Sequence, residues 1–236
     1  MEIYSKEYKI LSSDVDAFRR VRVSKLFTFM QEAAIAHTEI LGAGRAKTLD
    51  RGFLWVVTMQ HAEISRLPEY DETVKLVSWA GKTMHVMFPR FYELYAKDGT
   101  ILAKGSAIWM LINMKDRTMV FPDAEGIAIN GTVVGREYPL PKPIKALESS
   151  LAFSFTVPYS YTDLNGHLTN TKYFDLLEDN TANVSLGRSP KYVAAEYSGE
   201  ARLGEEISVS KYEDKDVSFI HGVKNDKKLF KIKYEF

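Results

Sequence analysis

The chain has 236 residues, 45% of them hydrophobic and 12% aromatic, enough apolar material for one large domain or two small ones. Lysine plus arginine and aspartate plus glutamate both total 31, so the overall charge points to neither nucleic acid nor an anionic membrane, and an acidic partner would have to meet a local basic patch. Cysteine is absent, which excludes disulfides, thiolate metal sites and a cysteine nucleophile, and makes the reducing cytoplasm the expected location.

The opening stretch MEIYSKEYKILSSD mixes strand-like apolar positions with acids and shows neither a charged leader nor a small-residue cleavage site, so no export signal is expected. Ser24 to Leu41, SKLFTFMQEAAIAHTEIL, reads as a helix with Ser24 as N-cap and Gly42 as C-cap. It is apolar on nearly every face, as a helix buried on most sides would be. Next come FLWVVTMQHAEISRL and the long run from DETVKLVSWAG to GSAIWMLINM, rich in valine and aromatic residues. They predict long antiparallel strands with a hairpin turn at Asp98-Gly99. The densest apolar runs fall well short of the roughly 20 residues needed to cross a bilayer.

The second half replays the order. A strand SFTVPYSY leads to a helix TKYFDLLEDNTANVSLG and to strands near EEISVSKYE, VSFIHGVK and KLFKIKYEF. Sliding one half over the other pairs Asp16 with Asp163, Lys25 with Lys172 and Met30 with Leu177. A period this long predicts tandem domains rather than a solenoid. The Gly- and Pro-rich stretch between them sets the expected boundaries: an N-terminal domain over 1–121, a linker over 122–150 and a C-terminal domain over 151–236. One buried helix per half followed by antiparallel strands is an α+β pattern, in which each half needs the other, or a partner such as a second copy, to cover its remaining sheet face.

Residues 161–174, YTDLNGHLTNTKYF, gather an acid, two amides, a histidine and a tyrosine. As a calcium loop the stretch fails, because Gly166 falls two places early and Phe174 stands where a bidentate glutamate is needed. Zinc lacks a second histidine at a helical or short-loop spacing, so no metal is expected. A G-x-S-x-G nucleophile elbow is absent. A plain helix-capping loop remains open, with Asn165-Gly166 as the turn and Thr169 or Asn170 as the cap. Against it stands the comparison of the halves: the N-terminal copy has Phe18 for Asn165, Arg20 for His167, Val23 for Asn170 and Leu26 for Tyr173. The polar cluster therefore reads as a specialisation of one half. Glu178 and Asp179 in the second helix are rival carboxylates, and His37, on the nearly all-apolar helix, reads as a packed core histidine.

DLNGHLTNTKYFDLLED resembles the D-x-N-x-H-x-x-N-x-x-Y motif of hot-dog thioesterases. FMQEAAIAHTEILG, GFLWVVTMQHAEISRLPEYDETVKLVSWAG, GSAIWMLINMKDRTMVFPD and AAEYSGEARLGEEI resemble the acyl-[acyl carrier protein] thioesterases in particular, in order and over nearly the whole chain. The resemblance implies two tandem hot-dog domains, each an antiparallel sheet wrapped round a central helix, and hydrolysis of acyl carrier protein thioesters to free fatty acids without a cofactor. It also implies a catalytic set of Asp163, Asn165, His167 and Glu200. Plant members carry a cysteine just after that glutamate, where this chain has Ala201, so a glutamate-and-water mechanism is the one expected. Acyl-coenzyme A hydrolysis and hydroxyacyl-thioester dehydration are the alternatives.

Such chemistry needs a base, expected in Glu200 through burial in an apolar cleft, alone or together with His167. It also needs oxyanion donors, expected from Asn165 and the start of the following helix. The half without the polar set is expected to house the acyl chain, with Phe18, Val23, Leu26, Met30, Ala33 and Trp55 as its lining. The acidic carrier would dock on Arg19, Arg20, Arg22 and Lys25, or on the tail lysines Lys224, Lys227, Lys228, Lys231 and Lys233.

Overall fold

The computed structural model describes residues 3–127, 129 and 138–236. The first half runs β1 (Tyr4–Lys9), α1 (Val23–Ile40), β2 (Phe53–Ile64), β3 (Thr73–Ala80), β4 (Phe88–Tyr95) and β5 (Ile101–Asn113). The second runs β6 (Ser150–Thr156), α2 (Lys172–Glu178), α3 (Ala182–Ser185), β7 (Tyr192–Tyr197), β8 (Glu206–Glu213), β9 (Val217–Lys224) and β10 (Lys227–Glu235). All the strands pair antiparallel in one sheet of order β1-β3-β4-β5-β2-β7-β10-β9-β8-β6. Each half contributes five neighbouring strands in the same internal order, which is the repeat seen in the sequence.

The halves join edge to edge through β2 and β7, so neither covers the other's sheet face. Met59 lies opposite Glu196 and Glu63 opposite Tyr192, with His61 facing Ala194 between them. Shifting each residue by 133 positions maps this ladder onto itself, so a pseudo-twofold axis passes through the His61–Ala194 pair, as in an isologous dimer. On the face that carries the helices, Phe27 of α1 stacks on Phe174 of α2, its own counterpart in the repeat, at a ring-centroid distance of 4.3 Å. One hydrophobic core spans both halves, with Leu26, Phe27, Met30 and Ala33 packed together with Phe174, Leu177 and Ile232.

Two helix expectations change. Helix α1 starts one residue before Ser24, with Arg22 as N-cap, and the Val23 amide donates to the Glu178 carboxylate of the other half at 3.1 Å. Its C-terminus follows the sequence: Gly42 takes φ +74° and closes the turn on the Glu39 carbonyl. The second helix is broken into α2 and α3, because Thr181 is extended and the Glu213 carboxylate of β8 accepts the Asn183 amide at 3.1 Å, capping a new start. Beyond the first half, the described residues of 122–149 form a strap rather than a free tether. Ile127, Ile129 and Ile144 are buried, and the Pro139 carbonyl accepts the Ser106 hydroxyl at 2.7 Å. Trp79 meets Tyr138 on the sheet face turned away from the helices, so part of that face is covered from within the chain. No helix among the described residues is long and apolar enough to cross a membrane.

Candidate active site

The loop before α2 is built by Asp163. One carboxylate oxygen, Oδ1, accepts the Asn165 amide at 2.8 Å and the His167 amide at 3.0 Å, and Gly166 turns the chain at φ +73°. The N-terminal copy is built the same way: Asp16 Oδ1 accepts the Phe18 amide at 2.8 Å and the Arg20 amide at 2.9 Å, with Arg19 at φ +65°. Asp163 is thus a scaffold residue shared by both halves, holding backbone groups rather than the His167 ring. What differs is what the scaffold presents. Tyr173 belongs to the core, packed on Phe230, while the Asn170 carbonyl is held by the Tyr197 hydroxyl at 2.9 Å.

The backbone of His167 bridges to Arg202, which brings the segment after β7 alongside the loop. Glu200 Oε2 then lies 3.6 Å from His167 Nε2, just beyond hydrogen-bond distance. That nitrogen is buried and has no hydrogen-bond partner among the described residues. At the corresponding positions of the first half stand Leu67, buried, and Arg20, which donates to the Gly187 carbonyl at 2.7 Å and to Ser189 at 2.6 Å. Phe18 rests on Gly187 beside that guanidinium. The second copy of the site is filled by its own side chains.

Glu200 is not lodged in an apolar cleft. Its carboxylate, about a third exposed, forms an ion pair with Arg117, which sits in the turn after β5 of the other half. Nothing in the repeat or in the motif pointed to Arg117. The His167 imidazole is held below its ordinary pKa by burial first, then by the positive charge of Arg202, with Arg117 adding in the same direction. It is therefore a neutral acceptor at neutral pH. Removing a positive charge nearby favours the imidazolium, so Arg117→Met is expected to shift the His167 titration to higher pH. Following the His167 ring protons by NMR against a His167→Gln control checks this; an unmoved midpoint refutes the coupling.

A cavity of about 450 Å³ lies between α1 and the strands of the first half. Its wall is completed by Asp163, Leu164, Asn165, Thr169 and Asn170 of the second half. The Asn165 carboxamide makes no hydrogen bond among the described residues and belongs to this wall; His167 and Glu200 do not line it. The expected help from the start of α2 is weak: that helix has seven residues, and its Lys172 and Phe174 amides are taken by the Thr169 and Thr171 carbonyls.

Of the six expected lining residues only Trp55 faces the cavity. Val23, Leu26, Met30 and Ala33 are fully buried in the core, and Phe18 is exposed at the filled copy of the site. Helix α1 instead turns Gln31, Ala34, Ile35 and Thr38 to the cavity, a stripe of mixed polar and small residues at helical spacing. The basic clusters are partly committed as well. Arg20 is locked inward as described, Lys25 pairs with Asp14 at 3.0 Å, Lys224 with Glu205 at 2.6 Å, Lys231 with Glu196 at 3.1 Å and Lys233 with Glu235 at 2.6 Å. Arg19, Arg22, Lys227 and Lys228 remain exposed without an ion pair among the described residues.

The fold and its duplicated loop define a double hot-dog protein in which the N-terminal copy of the loop is filled by its own side chains and the C-terminal copy carries the polar set. Two sequence profiles match in tandem: acyl-ACP thioesterase N-terminal domain over residues 1–125 and acyl-ACP thioesterase C-terminal domain over residues 144–236, where ACP is acyl carrier protein. The chain belongs to the acyl-ACP thioesterase family. It is 24% identical over 194 residues to the chloroplastic palmitoyl-acyl carrier protein thioesterase of Cuphea hookeriana, covering 76% of this chain and 47% of that protein. It spans about half the length of the curated relatives it matches. An acyl-ACP thioesterase from Bacteroides thetaiotaomicron VPI-5482 superposes with a TM-score of 0.85 at 20% identity, covering 99% of this chain and 97% of that one. The 12:0-ACP thioesterase from Umbellularia californica gives 0.81 at 18% identity, covering 99% and 96%.

Proposed function

We propose that this chain hydrolyses acyl thioesters of acyl carrier protein to free fatty acid and the carrier thiol, with chemistry in the C-terminal half (151–236) and the acyl chain in the N-terminal half (1–121), joined by the segment 122–150. The observation that carries this reading is the cavity of the first half whose wall is completed by the Asp163–Asn170 loop of the second. It sets a free Asn165 amide beside space for a hydrocarbon chain.

In this mechanism Asn165 donates a hydrogen bond to the thioester carbonyl oxygen as negative charge develops there. His167 Nε2, neutral and unpartnered, takes a proton from water, and the resulting hydroxide attacks the carbonyl carbon. Glu200, held in place by Arg117, stabilises the imidazolium. When the tetrahedral intermediate collapses the C–S bond breaks, and His167 returns its proton to the leaving thiolate. The base is thus His167 with Glu200 as its electrostatic partner, because a carboxylate already paired with a guanidinium is a poor proton acceptor. A chain without cysteine suits the reducing cytoplasm.

Incubation with matched acyl carrier protein and acyl-coenzyme A thioesters, following free thiol and free acid, tests the reading. Acid release with a preference for the carrier substrate supports it. A preference for coenzyme A moves it to the other hydrolase class, and water loss from hydroxyacyl thioesters without acid release would make the chain a dehydratase. Docking on the carrier is assigned to Arg19 and Arg22, whose reversal to glutamate raises KM for the protein-bound substrate and leaves a small thioester unaffected. Cavity residues should set chain length: Trp55→Ala or Ala34→Phe is expected to shift the spectrum of released acids, each methylene being worth about 0.8 kcal/mol. Met30→Ala should leave the spectrum unchanged and cost about 2–5 kcal/mol of stability. A spectrum that follows Met30 and ignores Trp55 would place the chain elsewhere.

A further inference from the structure

Arg90 lies on β4, on the face turned toward α1, and is 4% exposed. One terminal nitrogen meets His37 Nδ1 at 2.6 Å and the other donates to the Thr38 hydroxyl at 2.9 Å. A guanidinium has only donors, so His37 Nδ1 must be the acceptor, which fixes His37 as the neutral Nε2–H tautomer. Both partners are therefore uncharged. No carboxylate among the described residues forms an ion pair with Arg90. Burial pushes its pKa down. A tie between α1 and β4 does not require a charge, and a buried charge is costly unless something pairs it.

Arg90 also lines the cavity, together with Trp109. These two are close on the same sheet face: Trp109 stands opposite Phe88 on the neighbouring strand, and Arg90 is two residues along from Phe88. The indole N–H of Trp109 is buried and finds no acceptor of hydrogen-bond geometry, although the Tyr92 hydroxyl lies near it. The strand wall of the cavity thus carries a guanidinium bonded only to neutral groups and, beside it, a buried indole N–H without an acceptor. A plain hydrocarbon chain would bring no counter-charge to the guanidinium.

We propose that Arg90, positioned beside the Trp109 indole, binds an oxygen atom carried by the acyl chain itself, so that the cavity selects hydroxy-, oxo- or carboxy-substituted acyl groups over plain ones of the same length. The inference rests on the hydrolase reading for the cavity's occupant and narrows its substrate class. A site built to hydrogen-bond a substrate group discriminates strongly against the analogue that lacks it.

The experiment compares kcat/KM for length-matched thioesters, unsubstituted and bearing a single hydroxyl, keto or terminal carboxyl group, in the intact chain, in Arg90→Met and in the milder Trp109→Phe. Binding of the corresponding free acids is measured alongside by calorimetry. The expected result is a preference on the order of tenfold or more for at least one oxygenated series, lost in Arg90→Met and reduced in Trp109→Phe. Should Arg90→Met fail to fold, Trp109→Phe and the binding data still decide. Hydrolysis of plain and oxygenated substrates at equal rates, with equal binding of their acids, overturns the Arg90 site and leaves the hydrolase reading intact. Selective binding of oxygenated acids without any hydrolysis keeps the site and removes the hydrolase reading.

Discussion

His167→Ala and Asn165→Ala are expected each to lower kcat by about 10²-fold or more while leaving the thermal midpoint near that of the parent, as removal of a proton acceptor and of an oxyanion donor would. Glu200→Gln should do the same, since it keeps the shape and removes the charge opposite His167. Asp163 belongs to a different class. Its Oδ1 holds two backbone amides, a duty Asp16 performs at 2.8 and 2.9 Å in the half without chemistry. Asp163→Ala and Asp16→Ala should therefore both lower the thermal midpoint, because each leaves two amides without their acceptor, and Asp16→Ala by more, because it also removes the partner of Arg20 at 2.9 Å. Only Asp163→Ala should also reduce turnover, through disorder of the loop that carries Asn165 and His167. Paired measurements of kcat and melting on the set of five variants separate the roles. Equal melting losses in the His167 and Asp163 variants would contradict the division, and so would full activity in both His167→Ala and Glu200→Gln.

The repeat was legible because it is written in features that survive divergence: an aspartate that builds the loop, a helix behind it and strands of similar length. The asymmetry at Phe18, Arg20, Val23 and Leu26 reads one loop as specialised, and the structure adds Leu67, at the place Glu200 holds in the second half, to the same contrast. A cavity does lie beside α1, on a different face of the helix from the one expected. Sequence reasoning favoured the bulkiest apolar stripe, Val23, Leu26, Met30 and Ala33. Those residues are bulky because they fill the core, whereas the face bordering a void carries Gln31, Ala34, Ile35 and Thr38. Three other features arise only when distant segments meet. β7 is a short run of small and aromatic residues without alternation, yet it is the strand that fuses the two halves. The break in the second helix is set by Glu213, thirty residues downstream of the amide it caps. Arg117 is a turn residue with a positive φ whose partner lies in the other half of the chain.

Glu178→Gln is expected to remove a large pH dependence of stability without touching turnover. The carboxyl is buried between the halves, accepting the Val23 amide of α1 at 3.1 Å and facing the Tyr234 hydroxyl at 3.4 Å. Its hydrogen bonds go to Val23 and Tyr234 and to none of Asn165, His167 and Glu200, which places it at the seam of the halves. Burial, reinforced by Asp175, pushes its pKa up to about 7 against the Val23 hydrogen bond that favours the charged form. Below an ordinary glutamate pKa both the folded and the unfolded chain hold this proton. As pH rises the unfolded chain releases it first, so folding loses stability progressively until the folded carboxyl ionises near 7. The full loss, from a pKa near 4.5 to one near 7, is about 3 kcal/mol at alkaline pH. Glutamine keeps an acceptor for the Val23 amide and carries no charge, and the first half already has Gln31 at the matching place of the repeat. Urea unfolding of both proteins from pH 4 to pH 9 should show near-equal midpoints at the acid end and a variant more stable by a few kcal/mol at the alkaline end. Parallel profiles would mean that Glu178 ionises freely in the folded chain, and a fall in turnover would return it to the chemistry.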